Sequence, residues 1–370
     1  MNRPDDYGDY PQQQRRKKTG RSPGASVFLL SLCAAALALI SFAVNTGYNL
    51  VSGLNFAGGS QMSLKEIADY QNKERDESLL DSDENAVLSA DERMMEFLSK
   101  NGTPIPAGKH GIVNIMLIGV DCDNYEEKYL RSDSMILLSI DKQNRQLKMT
   151  SFMRDMRVSI PTVGKDKLNA AFAYDPSCEL LFQTIEKNFR VPVDKFVCVN
   201  YDAFQEVISL LDGVDIEVSE RDAKALDLKN WSPNAYQLKD GRWHLDGHLS
   251  LCYSRMRIIG DDPERTARQR RVLTAMFEKA KQSDVTKIVG ITNAMTPHIL
   301  TNLSVGEIFS LVASLPEYAS YEILDNRLPL DGYWDDLIID KIWYVDYDPR
   351  KNTEALIEFI YGKDAVQEFL

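Results

Sequence analysis

The chain has 370 residues, a net charge of −12 and a sequence pI near 5.0. That length is sufficient for a sizeable hydrophobic core. An acidic chain is a poor candidate for nucleic-acid binding, because such binding depends on neutralising phosphates. Five cysteines without CxxC spacing are too few for a disulfide scaffold, and we interpret them as small, mostly buried residues.

The N-terminal region predicts a membrane anchor. Residues 1–24 hold six basic and three acidic residues, are rich in Pro and Gln, and are expected to be a disordered cytoplasmic tail. Residues 25–45 are uncharged, apolar and long enough for one transmembrane helix. The preceding basic residues place its N-terminal end in the cytoplasm. We therefore predict a single-pass type II protein of the cell membrane with an extracytoplasmic body; a cleaved signal peptide is the alternative.

Residues 46–110 are predicted to link this anchor to the body. The segment up to about residue 65 is rich in Gly, Ser and Asn and is typical of a tether. From residue 66 to 100, many charges and apolar residues at helical spacing indicate one or two stalk helices. Asn101, Gly102 and the prolines Pro104 and Pro106 are expected to end them.

Strand and helix patterns alternate from residue 111 to residue 370, which favours one α/β domain with a central mixed β-sheet flanked by helices. The first half predicts strands at Ile112–Val120, Met135–Ile140 and Gln146–Ser151, a turn at Pro161–Lys165, helices from about Asp166 and at Ser177–Asn188, a strand at Lys195–Val199, a helix at Tyr201–Leu211 and a strand at Val214–Val218. The second half predicts a helix through Leu249–Tyr253, a long helix to about Lys281, helices at Val285–Met295 and Val305–Ser314, a strand pair near Tyr321–Arg327 and Trp343–Val345, and a final helix at Thr353–Tyr361.

Charged residues stand at the ends of the first three strands. They are Asp121 and Asp123 after the first, Arg131 and Asp133 before the second, and Arg154 and Asp155 after the third. Ligands bind at strand ends of α/β sheets, where loops converge on a rigid support. Carboxylates suit Mg²⁺ and guanidinium groups suit phosphate, so this cluster is typical of a metal-bridged phosphate site. Surface salt bridges are the alternative interpretation.

A second, basic cluster lies downstream. Its members are Arg255, Arg257, Arg265, Arg268, Gln269, Arg270 and Arg271. In an otherwise acidic body this group favours an anionic partner, and Arg265 and Gln269 share one helix face. A solvated basic helix is the alternative.

His244 and His248 have i,i+4 spacing, but an Asp246–Gly247 turn signal lies between them, so we do not predict a zinc site.

The chain resembles the LytR–CpsA–Psr (LCP) family of cell-envelope glycopolymer phosphotransferases. The matching segments, in order between about Gly111 and Tyr361, are NIMLIGVD, RSDSMILLSID, SFMRD, KLNAAFAYD, VDKFVCVNYDAF, LLDGVDIEV, LKDGRWHLDGHLSLCYSRMR, DDPERTARQRRVL and TNLSVGEI. The resemblance implies an α/β fold with a long apolar pocket for a polyprenyl chain. It also implies transfer of a glycopolymer, such as teichoic acid or capsular polysaccharide, from an undecaprenyl-pyrophosphate carrier to peptidoglycan as a phosphodiester.

The resemblance also implies roles for individual residues. Asp121 and Asp133 correspond to carboxylates that coordinate Mg²⁺ (or Mn²⁺). The implied pyrophosphate and head-group contacts are Arg131, Arg154, Arg255, Arg257, Arg265 and Gln269. We hypothesise that Asp133 or Asp155 accepts the proton of the peptidoglycan hydroxyl. The lipid tail is expected among apolar side chains such as Phe172, Phe182, Phe196, Val199, Phe204, Leu210 and Leu211, any of which equally suits ordinary core.

Rival functions use the same residues. A polyprenyl-pyrophosphate-binding protein, or a pyrophosphatase with a regulatory role in envelope maintenance, would need the same cation clamp. Polymer joined covalently to peptidoglycan distinguishes the transferase from both.

Overall fold

The computed structural model describes residues 61–100, 102–122, 130–228, 235–256, 262–280, 282–283, 287, 291, 299–304, 307, 310–311 and 314–370. The predicted transmembrane segment at 25–45 lies outside these ranges, as do most residues of the helices predicted at 285–295 and 305–314. None of the helices within them combines the length and the apolar character that crossing a bilayer requires.

A six-stranded mixed sheet forms the centre of the fold, with strands in the order β10-β6-β1-β2-β3-β11. Its strands are β1 Ile112–Val120, β2 Ser132–Asp141, β3 Gln146–Phe152, β6 Lys195–Asn200, β10 Ile299–Thr301 and β11 Glu322–Leu328. Strand β1 pairs antiparallel with β2 and parallel with β6, and β11 pairs parallel with β3. The predicted mixed sheet is therefore confirmed.

Smaller strands and the helices surround this sheet. The remaining strands are β4 Arg157–Ile160, β5 Gly164–Lys167, β7 Val214–Ile216, β8 Tyr236–Gln237, β9 Trp243–Leu245, β12 Trp334–Ile339 and β13 Ile342–Tyr347. The helices are α1 Leu64–Asn72, α2 Glu84–Ser99, α3 Ala170–Tyr174, α4 Glu179–Phe189, α5 Tyr201–Leu210, α6 Glu220–Ala225, α7 Gly247–Arg255, α8 Asp262–Ala280, α9 Leu315–Tyr318, α10 Pro349–Tyr361 and α11 Lys363–Phe369.

The two faces of the sheet bury different clusters, because alternate residues of a strand point to opposite faces. On one face Leu117, Ile136 and Val199 belong to a core that includes residues of α5, α7 and α8. On the other face Met116 and Leu137 join a core with residues of α4 and α10. Burial on both sides explains why β1 and β2 read as continuous apolar runs in the sequence.

Cys122, Cys178 and Cys198 are buried and Cys252 is half-buried, all as free thiols.

Three predicted elements differ from the structure. The predicted turn at Pro161–Lys165 is confirmed at residues 161–163 of the β4–β5 hairpin, but Gly164 and Lys165 already belong to β5. The helix predicted from about Asp166 begins at Ala170, because Asp166 and Lys167 belong to β5. The strands near Tyr321 and Trp343 do not pair with each other: β11 joins β3, while β13 pairs with β12.

Helices α1 and α2, predicted as stalk helices, pack against the domain. Helix α1 buries Ile67 in the core cluster that contains α4 and α10. Its start is fixed by Ser63, whose hydroxyl accepts from the Glu66 N–H in a capping box. Helix α2 buries Ala90 against β12 and β13 residues.

Candidate functional site

The sheet register brings the predicted carboxylates together. Strand β1 ends at Val120, which pairs with Ser132 at the start of β2 across an irregularity in the register. Asp121 follows β1 and Asp133 is the second residue of β2, so both lie at the same end of an antiparallel pair. Because β6 runs parallel to β1, Asn200 lies beside Val120. The next residue, Tyr201, therefore joins the same edge.

Helix ends place the remaining side chains. The Asn200 side chain accepts from the Ala203 N–H at 2.9 Å, which caps α5 and makes Tyr201 its first residue. Arg255 is the last residue of α7, where a cation complements the negative end of the helix dipole. Arg265 and Gln269 lie one turn apart on α8.

These residues line a polar cavity of about 400 Å³. The described side chains around it are Asp121, Asp133, Tyr201, Arg255, Arg265 and Gln269. Five of these six were predicted as site residues. Two carboxylates and two guanidinium groups on one small cavity are a donor set suited to a cation and an anion bound side by side.

Asp133 is held from two directions. The Arg154 Nη1 donates to one carboxylate oxygen at 2.5 Å, and the Tyr201 hydroxyl donates to the other at 2.7 Å. Burial of Asp133 opposes ionisation, but the Tyr201 hydroxyl and Arg154 outweigh it and hold the pKa of the carboxyl below its usual value. Asp133 is therefore an ionised, well-oriented carboxylate and a weak base.

Asp121 is more exposed than Asp133 and pairs with Arg255 at 2.8 Å. The Arg255 guanidinium also lies over the Tyr201 ring, 4.2 Å from its centroid, in cation–π geometry. Tyr201 thus contacts Asp133 through its hydroxyl and Arg255 through its ring. It was not among the predicted site residues, although its position directly after a strand and an asparagine cap was visible in the sequence.

The α8 residues complete the cavity wall. Arg265 pairs with Asp262 at 3.1 Å, and its positive charge contributes to the lowered pKa of Asp133. The Gln269 Oε1 accepts from the Ser134 hydroxyl at 3.3 Å. Residues Asp123 and Arg257, both predicted to belong to this region, lie outside the described part of the chain.

An apolar cavity adjoins the polar one. It has a volume of about 80 Å³ and lies between the sheet and α5, α7 and α8. The two cavities share four lining residues, Asp133, Tyr201, Arg255 and Gln269. Of the apolar residues named from the sequence, Val199 and Phe204 line it. Phe172, Phe182 and Phe196 belong to the core of the opposite sheet face, and Leu210 and Leu211 belong to the core cluster of the near face.

Arg154 and Arg131 are not among the described residues that line the polar cavity. Arg154 donates its Nε to Asp155 at 3.2 Å, in addition to its contact with Asp133. Burial lowers the pKa of Arg154, but Asp155 and Asp133 outweigh burial and raise it above the usual value. Arg131 donates its Nε to the Tyr70 hydroxyl and its Nη1 to Glu74 at 2.7 Å. The structure therefore places Arg131 against α1.

Asp155 is almost fully buried and contacts Lys167 at 3.0 Å as well as Arg154. Burial opposes its ionisation, yet Lys167 and Arg154 hold its pKa below the usual value. A buried carboxylate held ionised between two cations is poorly suited to accept a proton from a bound substrate. Of the two proton acceptors considered, Asp133 is the one on the cavity.

Over the described ranges, no three His, Cys, Asp or Glu side chains converge as a preformed metal centre. His244 and His248 do not form a pair: the His244 Nδ1 contacts Asp215 at 2.7 Å, and the His248 Nε2 lies 3.6 Å from the Cys252 Sγ.

The fold and the adjoining cavities define an α/β domain suited to an amphiphile with an anionic head group. A family model confirms the predicted family: it matches residues 71–357, and the chain belongs to the LytR-cpsA-psr family.

Curated relatives carry transferase names. The chain is 31% identical over 216 residues to the polyisoprenyl-teichoic acid–peptidoglycan teichoic acid transferase TagV of Bacillus subtilis (strain 168). The alignment covers 57% of this chain and 54% of TagV. It is 30% identical over 252 residues to the corresponding transferase TagU of Bacillus cereus, covering 66% of this chain and 77% of TagU. The match thus spans about half the length of TagV.

Solved structures agree on the fold. TagT bound to LIIa-WTA superposes with a TM-score of 0.55 at 26% identity, covering 69% of this chain and 93% of TagT. TagT (YwtF) with bound octaprenyl pyrophosphate lipid gives a TM-score of 0.51 at 26% identity, covering 69% and 92% of the two chains.

Proposed function

We propose that this protein transfers a glycopolymer from a polyprenyl-pyrophosphate carrier to peptidoglycan as a phosphodiester. The observation that carries the proposal is the junction of an apolar cavity with a polar cavity that holds two carboxylates and two arginines. A lipid pyrophosphate has the same division into an apolar tail and a doubly anionic head. The transferase names of TagV and TagU and the lipid bound to TagT support this assignment.

The prenyl tail is assigned to the apolar cavity. The cavity has a volume of about 80 Å³ and a mainly apolar lining, so we assign to it the part of the prenyl chain nearest the pyrophosphate. Leu251 on α7 and Phe204 on α5 line the cavity and would contact the tail.

The pyrophosphate is assigned to the polar cavity. Arg255 and Arg265 present guanidinium groups there, and such groups bind phosphate oxygens in a bidentate manner. Arg154 acts from behind, by orienting Asp133. The Asp133 carboxylate is placed to accept a hydrogen bond from the incoming peptidoglycan hydroxyl and so to orient it for attack on phosphorus.

Asp121 and Asp133 are the residues that would hold Mg²⁺ (or Mn²⁺). Both line the polar cavity, and ionised carboxylates are the ligands that this ion prefers. When bound, the ion would offset the negative charge of the pyrophosphate. The side-chain contacts of Asp121 and Asp133 with cationic or hydroxyl donors leave lone pairs on their oxygens for such a role.

We further propose that residues 25–45 span the cell membrane once and that the domain lies outside the cytoplasm. The uncharged length of this segment and the basic residues before it support the orientation. This arrangement would place the domain on the same side as peptidoglycan.

The test uses the full-length protein in lipid vesicles with a polyprenyl-pyrophosphate-linked oligosaccharide and a peptidoglycan fragment. We expect sugar phosphate on the fragment in Mg²⁺, none in EDTA, and none with Asp133→Asn. Asp240→Asn, an exposed carboxylate paired with Arg242, is the matched control and should retain activity. Release of lipid phosphate without modification of the peptidoglycan fragment would instead identify a pyrophosphatase. Binding of the lipid without any turnover would identify a lipid-binding protein.

A further inference from the structure

The C-terminal end of α1 lies against Arg131, the residue directly before β2 and two residues before Asp133. Arg131 donates its Nε to the Tyr70 hydroxyl and its Nη1 to Glu74 at 2.7 Å. Its guanidinium carbon is also 4.9 Å from the centroid of the Tyr70 ring. The Arg131 side chain retains 20% exposure. Both partners come from the segment that precedes the first strand of the domain.

Glu74 also begins a chain of alternating charges that leads to the polar cavity. Its carboxylate lies 3.6 Å from the Lys167 Nζ, and Lys167 lies 3.0 Å from Asp155. Asp155 contacts Arg154 at 3.2 Å, and Arg154 contacts Asp133 at 2.5 Å. Each contact joins a cation to a carboxylate, and all of these side chains are at most about a quarter exposed. Partly buried pairs of this kind are screened less by water and salt than surface pairs.

Helix α1 has attachments that do not depend on Glu74. The Gln71 Nε2 donates to Asp166 at 2.8 Å, and the Tyr70 ring packs edge-on against Tyr174 with centroids 5.9 Å apart. The Met62 N–H donates to the Tyr174 carbonyl at 2.9 Å, and Ile67 is buried. Removing the Glu74 charge should therefore leave α1 docked while disturbing the charge chain.

We infer that Tyr70 and Glu74 are positioning residues of the transferase site, an inference that rests on the proposed function. They fix Arg131 directly, and Glu74 fixes Arg154 on Asp133 through Lys167 and Asp155. Without Glu74, Lys167 and Arg131 lose a shared carboxylate, and the cations behind Asp133 are free to rearrange. The segment that follows the predicted membrane anchor is then part of the catalytic architecture and not a spacer.

The test compares Glu74→Gln and Tyr70→Phe with Glu77→Gln in the full-length protein. Glu77 is a matched control, since it lies three residues further on and pairs with Lys341 outside this chain of charges. Groups that orient metal-ligating side chains typically contribute 10- to 100-fold, and Asp133 is a proposed ligand, so we expect kcat for transfer to fall about 10-fold in Glu74→Gln. KM should change less, and Glu74→Asp should recover part of the loss. Glu77→Gln should match the wild type.

A double-mutant comparison separates positioning from general destabilisation. If Glu74 acts through Arg131, Glu74→Gln should cost less in an Arg131→Gln background than in the wild type. Full additivity, or activity of Glu74→Gln within twofold of Glu77→Gln, would overturn the inference.

Equilibrium binding of polyprenyl pyrophosphate in Mg²⁺ is measured on the same variants. We expect weaker binding in Glu74→Gln than in Glu77→Gln, by a smaller factor than the fall in kcat. If the wild type transfers nothing, the proposed function fails, and lipid binding alone then decides the inference. Equal affinity of Glu74→Gln and Glu77→Gln for polyprenyl pyrophosphate would refute it.

Discussion

Tyr201→Phe is the substitution that isolates one contact in the polar cavity. It removes the hydroxyl that donates to Asp133 at 2.7 Å and leaves the ring on which Arg255 rests. Tyr201→Ala removes both. Comparison of the two variants therefore assigns separate effects to the hydroxyl and to the ring.

The expected magnitude follows from the surroundings of Asp133. A hydrogen bond to an ionised group contributes about 1.5–3 kcal/mol. Asp133 borders an open polar cavity and keeps Arg154, so water can replace part of the lost bond and the lower figure applies. About 1.5 kcal/mol corresponds to roughly a tenfold loss of transfer activity. Because the hydroxyl helps to hold the pKa of Asp133 low, its removal should also raise that pKa.

Tyr201→Ala should cost more, because a cation–π contact adds about 0.5–2 kcal/mol. The assay is transfer to a peptidoglycan fragment across a Mg²⁺ titration, with Tyr236→Phe as the control, since Tyr236 stacks on His244 away from this cavity. Wild-type rate and wild-type Mg²⁺ dependence in Tyr201→Phe would refute the assigned role of the hydroxyl. Equal losses in the Phe and Ala variants would refute the role of the ring.

Three further predictions concern the surrounding structure. The folded state lowers the pKa of Asp155, so the ionised carboxylate stabilises the fold above its usual pKa, and this stabilisation is lost as pH falls through the folded-state pKa. In Asp155→Asn the unfolding free energy should therefore fall less steeply as the pH is lowered. An unchanged slope in an acid titration would contradict this. Val199→Phe should fill the apolar cavity and weaken binding of a long prenyl pyrophosphate but not of inorganic pyrophosphate, and equal effects on both would contradict the tail assignment. Gly247→Ala should destabilise the fold by about 1–3 kcal/mol, because a Cβ there would lie 2.2 Å from the Gln205 carbonyl oxygen; denaturant unfolding would show this, and an unchanged midpoint would contradict it.

Local patterns in the sequence located much of the sheet and one side of the site. Strand β1 matches its predicted range because burial on both faces produces a continuous apolar run with sharp polar ends. Asp121 and Asp133 were predicted to converge because they flank adjacent strands, and both line the polar cavity. The predicted helix start at Tyr201 is also correct, and in the structure the Asn200 side chain caps the helix there.

Other features depend on contacts that local patterns do not encode. The two strands of the β4–β5 hairpin were not predicted, because they have four residues each and little alternation. The partner of Arg131 is Glu74, 57 residues earlier, in a segment whose composition predicts only a stalk. The roles of Lys167 and Asp155 behind the cavity likewise follow from tertiary pairing and not from spacing.

Two ion pairs at the polar cavity, Asp121–Arg255 and Asp133–Arg154, differ in a way that indicates how a pyrophosphate would enter. Asp121 and Arg255 are about half exposed, and pairs of this kind contribute about 0–1 kcal/mol, so exchange of Asp121 for a phosphate oxygen costs Arg255 little. Asp133 and Arg154 are each about one-fifth exposed, and Asp133 also accepts from Tyr201. The second pair should therefore stay in place while the first opens. On this argument Arg255 is the mobile element of the clamp, and Asp133 is the fixed point against which the phosphate and the acceptor hydroxyl are aligned.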